Sequence, residues 1–454
     1  MVLLTKFNKE DRVKEKNMAK KYIIEGGANL NGEISIRGAK NAVTKEMVAS
    51  LLADGNTVLE NVPEIGDVTI TRQILEALGC PTIYDSNTSR LEINTRHLCS
   101  SHVPFEYSGV NRIPILMAGP LIHKFGEAII PIMGGCDIGP RPVDFHIRGL
   151  EALGAKAVFD SQAYHFTADK LKGAKIDLPF PSVGATENIM MAAVMAQGTT
   201  VIKNAAIEPE IVDLALMLQS MGAIIAQEVD RTWVIQGVDA LHSATHRVIN
   251  DRIEAASFAV SAIATNGDVI IHGADQLHMQ TFLNWLRKAG GVFEILDDGI
   301  RFFGQNRKVT PIAAETGVHP GLMTDWQQPL VILLTKANGV SVIHETVYEN
   351  RFSYVNALNT MGAKIQIFKE CLGGRTCRFR HSGHSHSCVI TGPTPLKGAK
   401  IEIPDLRAGF SYLVAAVMAE GKSTLSNVNY IERGYDCILQ KFRSLGVPIT
   451  VVDA

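Results

Sequence analysis

Six times along the chain an apolar segment runs to a glycine, and a short strand pattern, a turn and an amphipathic stretch ending in a second glycine follow. The opening glycines are Gly55, Gly126, Gly198, Gly267, Gly339 and Gly421, evenly spaced except for a longer last step. After them come NTVLEN, EAIIPI, TTVIKN, DVIIHG, VSVIHE and KSTLSN, which read as short strands. The closing glycines are Gly79, Gly154, Gly222, Gly290, Gly362 and Gly446, in LEALGC, LEALGA, LQSMGA, LRKAGG, LNTMGA and FRSLGV. Glycine there stops a helix because it adopts left-handed φ without steric penalty.

The two helical patterns of each unit differ. The second has one apolar face, as with Val143, Ile147, Leu150 and Leu153. The first is apolar nearly all round, as in NIMMAAVMAQG and FSYLVAAVMAEG, so it has to be buried on every side. The expectation is a pseudo-symmetric α/β protein with helices inside and sheets facing outward. A period near 70 exceeds the roughly 20–50 residues of solenoid repeats. Six units divide naturally into two groups of three, with a ligand cleft between them.

Composition narrows the class. The chain has 454 residues, 46% apolar and 20% charged, enough for two or three globular domains. A net charge of −2 gives no reason to expect nucleic acid or an anionic membrane as partner. The apolar run Val2 to Leu4 is too short for a secretion signal, and no stretch of about 18 apolar residues occurs. Residues 1–18 read as a polar extension, or Met18 as the true start. Seven scattered cysteines without CxxC suit reduced thiols in a cytoplasm.

Polar residues concentrate at two equivalent places in the unit. One is the start of the buried helix: GAKN at Lys40, Asn111-Arg112, PSVGATEN from Pro181, NDRIE at Arg252, MTDW at Asp325 and PDLRAG at Arg407. The other is the turn after the strand: GGCDIGPRPVD from Gly134, YENRF at Arg351 and IERGYD at Arg433. Two facing rims would gather Lys40, Arg112, Arg141, Arg351, Arg407 and Arg433 with helix N-termini, a setting for phosphate and carboxylate. Surface salt bridges are the alternative for any one of these cations. Asp325 is a general base or, more simply, a helix cap, and Asp405 carries the same ambiguity. Cys136 lies among Gly134, Gly135 and Gly139 beside Arg141, a setting that activates a thiol; filler in a turn is the plainer reading. Cys371, Cys377, His381, His384, His386 and Cys388 lack paired zinc-ligand spacing and read as an exposed insertion in the one enlarged unit. PSVGATEN lacks GxxxxGK[ST], which argues against nucleotide hydrolysis.

Nine ordered motifs resemble the UDP-N-acetylglucosamine 1-carboxyvinyltransferases, a family of enolpyruvyl transferases. They are GAKNA, NRIPILMAGPL, GGCDIGPRPVDFH, PSVGATENIM, DRIE, HPGLMTDWQ, ETVYENRF, DLRAG and IERGYD, and the likeness runs from about Tyr22 to the C-terminus. The resemblance implies an inside-out α/β barrel of two three-unit domains, one of residues 41–248 and one joining 19–40 to 249–454. It implies the first committed step of peptidoglycan synthesis, and so a place in wall biogenesis, cell shape and division. Phosphoenolpyruvate and UDP-N-acetylglucosamine would be the substrates, with no metal, organic cofactor or obligate protein partner. By the same resemblance Lys40, Asn41, Arg112, Arg141 and Arg433 hold phosphoenolpyruvate, and Cys136 is the loop thiol that fosfomycin alkylates. Asp325 is the favoured base, with Asp405 and Arg407 at the reacting centre. Arg112, Arg141, Pro142, Val143, Asp144, Phe145, Ser182, Val183, Gly184, Asp325, Val347 and Tyr348 surround the sugar nucleotide. Three departures stand out: Phe180 where many relatives carry lysine, the 1–18 extension, and the enlarged 370–400 segment. The sister reaction on shikimate 3-phosphate and a catalytically silent sugar-nucleotide-binding paralogue are the competing functions.

Overall fold

The computed structural model describes residues 20–134, 143–304, 308–374, 377–404 and 406–453, without the side chains of Leu406 and Arg407. Among them are six sheets, five of four strands and one of three. In each, the strand after the opening glycine pairs antiparallel with one strand and, in all but one sheet, parallel with a short one. Thr199–Lys203, for example, pairs with Thr232–Gln236 on one side and Lys175–Asp177 on the other. The sheet on Glu127–Pro131 has three strands, with only a parallel bridge from His102 to Ile129 on its fourth side.

Three pairings decide how the chain closes. Asn56–Glu60 takes its parallel partner from Thr245–Arg247, a strand that follows the whole of the third unit. Asp268–His272 takes its own from Asn31–Ser35, and Lys422–Ser426 pairs with Lys20–Glu25. The N-terminal strands therefore belong with the last three units. The apolar interior splits accordingly: one core runs from Ala39 to Val248, the other joins Tyr22–Ile36 to Ala255–Ile449.

The all-round apolar segments are the helices Lys40–Ala49, Ala118–Phe125, Val183–Ala193, Arg252–Ala264, Thr324–Leu334 and Leu406–Met418. In Arg252–Ala264 every residue but Ile253 is buried. Thr324–Leu334 packs on both Arg252–Ala264 and Leu406–Met418. All six closing glycines have positive φ. Gly267 differs from the other opening glycines, since it is kept small by the chain: a Cβ there would lie 2.0 Å from the Leu30 carbonyl oxygen.

The inner helices are less uniformly apolar than their pattern suggests. Glu46, Glu187 and Glu254 are buried on them. Lys441 donates to Glu254 at 2.6 Å, and Lys45 lies 3.9 Å from Glu187. The enlarged segment of the fifth unit is not the exposed insertion expected. It folds back over the hairpin of Ile365–Phe368 and Ser387–Gly392, burying Cys377, Phe379, His386 and Cys388, while His381 stays exposed.

Candidate active site

Between the two cores lies a cavity of about 630 Å³, with a recess of about 30 Å³ beside it that also touches Lys40, Asn41 and Asp325. Lining residues come from both cores and from the starts of four buried helices, at Lys40, Val183, Arg252 and Thr324. Each start turns the positive end of a helix dipole toward the cavity. Asp251 ties two of these starts together. It accepts from the Ile253 and Glu254 N–H groups at 2.8 and 3.0 Å as N-cap, and from the Lys40 N–H at 3.3 Å.

On one wall, Asp67 joins two cations from distant parts of the chain. Lys40 Nζ is 2.9 Å from Asp67 Oδ2, and Arg433 Nε donates to Oδ1 at 2.8 Å. Arg433 also donates to the Val110 carbonyl at 2.9 Å. Burial alone would raise the Asp67 carboxyl, but the charges of Lys40 and Arg433 outweigh it and hold the group below its usual value. Nearby, Arg252 makes a bidentate pair with Glu210 at 2.9 and 3.0 Å, linking the cores, and lies over the Trp326 ring at 5.2 Å.

Asp325, which shares the small recess with Lys40 and Asn41, sits in the first turn of Thr324–Leu334. It is not the cap: Met323 holds that position and makes no side-chain cap bond. Asp325 accepts instead from Arg351 Nη2 at 2.7 Å. Arg351 is 1% exposed and also donates to the Thr324 hydroxyl and carbonyl, both at 3.1 Å. Arg351 is thus a buried support for Asp325 and does not join the cations facing the cavity. Behind it, the buried Glu345 carboxylate accepts from Thr324, Gln327 and the N–H groups of Val347 and Tyr348 at 2.8–3.1 Å. One carboxylate therefore fixes the Asp325 helix against the loop that carries Val347 and Tyr348.

Lys40, Asn41, Arg112, Asp144, Phe145, Ser182, Val183, Gly184, Asp325, Val347, Tyr348 and Arg433 all line this cavity. Val143 does not; it is 9% exposed and precedes the helix Asp144–Ala152 as its N-cap residue. Cys136, Arg141, Pro142 and Asp405 lie outside the described residues, and Arg407 is described only as a helical position.

Carboxylates stand among the cations on the wall. Asp67, Glu187, Glu208 and Glu210 line it as well. Burial raises the Glu208 carboxyl and pushes Glu187 up to about 7. Arg378 is a further lining cation that the sequence did not mark. Its guanidinium stacks over Phe180 at 4.4 Å, donates to the Val347 carbonyl and lies 3.5 Å from Glu349. No local motif signals Asp67, Glu210 or Arg378, because their partners lie far off along the chain.

The sequence profile of the EPSP synthase family, 3-phosphoshikimate 1-carboxyvinyltransferase, matches residues 24–442. The UDP-N-acetylglucosamine 1-carboxyvinyltransferase of Protochlamydia amoebophila is 50% identical over 436 residues, covering 95% of this chain and 94% of that relative. The protein of the same name from Chlamydia pneumoniae is 47% identical over 431 residues, 94% of either chain. In fold, the enolpyruvyl transferase NikO of Streptomyces tendae superposes with a TM-score of 0.85 at 21% identity, covering 96% of this chain and 99% of that one. EPSP synthase of Acinetobacter baumannii superposes with 0.72 at 19% identity, covering 96% and 100%.

Proposed function

The chain belongs to the EPSP synthase family of enolpyruvyl transferases, and on that premise we propose that it moves the enolpyruvyl group of phosphoenolpyruvate onto the 3′-hydroxyl of UDP-N-acetylglucosamine, releasing phosphate. The relatives that share about half its residues are named for this acceptor. The observation that carries the reading is the junction of Lys40, Asp67 and Arg433 in one cavity with Asp325.

In this reading Lys40 and Arg433 exchange Asp67 for the phosphate of phosphoenolpyruvate, with Arg112 and Asn41 beside them. Helix starts at Lys40 and Val183 add N–H donors for anionic oxygens. The alkene carbon gains a proton, the 3′-oxygen attacks the cationic centre, and the tetrahedral adduct expels phosphate as its methyl group gives a proton back to a base, which restores the double bond. Asp325 takes the hydroxyl proton, and Arg351 aims its carboxylate. Fixed cations stabilise the departing phosphate. Ser182, Val183, Gly184, Asp144, Phe145, Val347 and Tyr348 take the sugar nucleotide. Cys136, Arg141, Asp405 and Arg407 keep the roles their motifs imply.

We further propose that the two cores are two domains, 41–248 and 19–40 joined to 249–454. The reaction would serve peptidoglycan synthesis in the cytoplasm; among the described residues no helix is long and apolar enough to cross a membrane. The test is phosphate release from phosphoenolpyruvate with UDP-N-acetylglucosamine, against shikimate 3-phosphate. Release with the sugar nucleotide alone is the expected result. Release only with shikimate 3-phosphate would overturn the acceptor, and release with neither would leave a binding protein.

A further inference from the structure

Four side chains meet in the fifth unit, and none of them is among the residues that line the cavity. His344 ends the strand Gly339–His344, and its register partner is Ser387, the residue after His386. Cys371 and Cys377 lie on the segment that joins Ile365–Phe368 to Ser387–Gly392. One nitrogen or sulfur from each of the four lies within 4.8 Å of all the others. The two Sγ atoms are 3.4 Å apart, and Cys371 Sγ is 3.3 Å from His386 Nε2. A disulfide would need about 2.05 Å. A tetrahedron with metal–sulfur bonds of about 2.3 Å and metal–nitrogen bonds of about 2.0–2.1 Å has edges of roughly 3.3–3.8 Å, close to these separations.

The proton positions agree. His386 Nδ1 is 2.7 Å from the His384 carbonyl, which can only accept, so that nitrogen carries the hydrogen and Nε2 presents its lone pair to Cys371. Ser387 donates its one hydroxyl proton to the Glu370 carbonyl at 2.7 Å and so accepts from His344 Nδ1 at 2.8 Å. His344 Nε2 then also holds a lone pair, and it is buried without a hydrogen-bond partner among the described residues. Both imidazoles are oriented through their outer nitrogen, as metal-binding histidines are. Gly373 makes room for this arrangement, since a Cβ there would lie 2.5 Å from the His344 ring.

We propose that His344, Cys371, Cys377 and His386 bind one zinc ion in a closed structural site that fastens the enlarged segment to the strand Gly339–His344 and holds Arg378, the neighbour of Cys377, at the cavity. Two thiolates and two neutral imidazoles match zinc and disfavour magnesium or calcium. Binding converts two thiols to thiolates and releases two protons, which balances the charge of the ion. The ligands are unevenly spaced along the chain, with His344 on a separate strand from the other three, so no paired motif announces them.

The test uses the full chain, loaded with zinc under reducing conditions and dialysed. Metal analysis should find about one zinc per chain in the native protein and in Cys99→Ser, an exposed thiol on the other core, and little in Cys371→Ser or Cys377→Ser. Cobalt in place of zinc should show thiolate charge-transfer bands and the intense visible absorption of tetrahedral coordination. Chelation should open trypsin cleavage at Arg378 in the native chain, while the zinc-loaded chain resists. Two results would overturn the site: negligible zinc retained by the native chain with both thiols reduced, or full zinc retained by both serine variants.

Discussion

Replacing Arg351 with methionine tests whether this arginine supports Asp325 or binds substrate. Methionine fills much of the same volume and removes the charge and the donors. The side chain is fully buried, and it makes three hydrogen bonds, at 2.7 Å to Asp325 and 3.1 Å twice to Thr324. Hydrogen bonds to charged groups contribute about 1.5–3 kcal/mol each, and breaking a buried ion pair from one side costs about 3–5 kcal/mol. Arg351→Met should therefore lower the stability of the core containing Ala255–Ile449 by about 3 kcal/mol in urea unfolding. It should also release Asp325 from its fixed direction, which costs kcat about 100-fold through lost alignment. KM for phosphoenolpyruvate should change little, because Arg351 does not line the cavity. Arg351→Lys should fall between, keeping the charge and losing the planar fork. The opposite pattern, a KM raised tenfold or more with kcat and unfolding unchanged, would refute the supporting role.

Asp325→Asn should lower kcat by about 10²–10⁴ and, because it leaves the buried Arg351 without its counter-charge, also destabilise the fold by about 3 kcal/mol, read from steady-state kinetics beside urea unfolding. Asp67 is held low by Lys40 and Arg433, so it contributes stability above its unfolded value near 4 that is lost as pH falls through its folded value. Asp67→Asn should therefore show a shallower acid-side loss in a pH series of unfolding curves. Glu187 has the reverse sign. Its carboxyl is raised to about 7 by burial, so the folded state holds its proton over a range where the unfolded chain has released it. Stability then declines as pH rises from about 4.3 toward the folded value, and Glu187→Gln should flatten that slope. Glu210→Gln leaves the buried Arg252 without its counter-charge and should destabilise the contact between the cores by about 3–5 kcal/mol, seen as earlier unfolding of the whole chain.

The repeat was legible because its signals are local. Apolar periodicity, a strand after each opening glycine and left-handed geometry at each closing glycine depend on neighbours close by in the chain. The six buried helices and outward sheets follow from them. The rims were legible for the same reason: a lysine, arginine or aspartate at a helix start has a position on the unit whatever surrounds it. Local pattern was silent about partners. Arg351 looked like one more cation of the rim until the fold buried it behind Asp325. Asp325 looked like a cap until Met323 took that place.

What the amino-acid sequence determined was the unit, its sixfold repetition and the residue types at each helix start, since these rest on period and backbone geometry. Tertiary structure alone decided which charges neutralise one another. Asp67 bridges Lys40, near the start of the chain, and Arg433, near its end, and the His344, Cys371, Cys377 and His386 cluster closes only when two strands pair. Electrostatic and ligand contacts depend on distances of a few ångströms in space, and separation along the chain does not encode them.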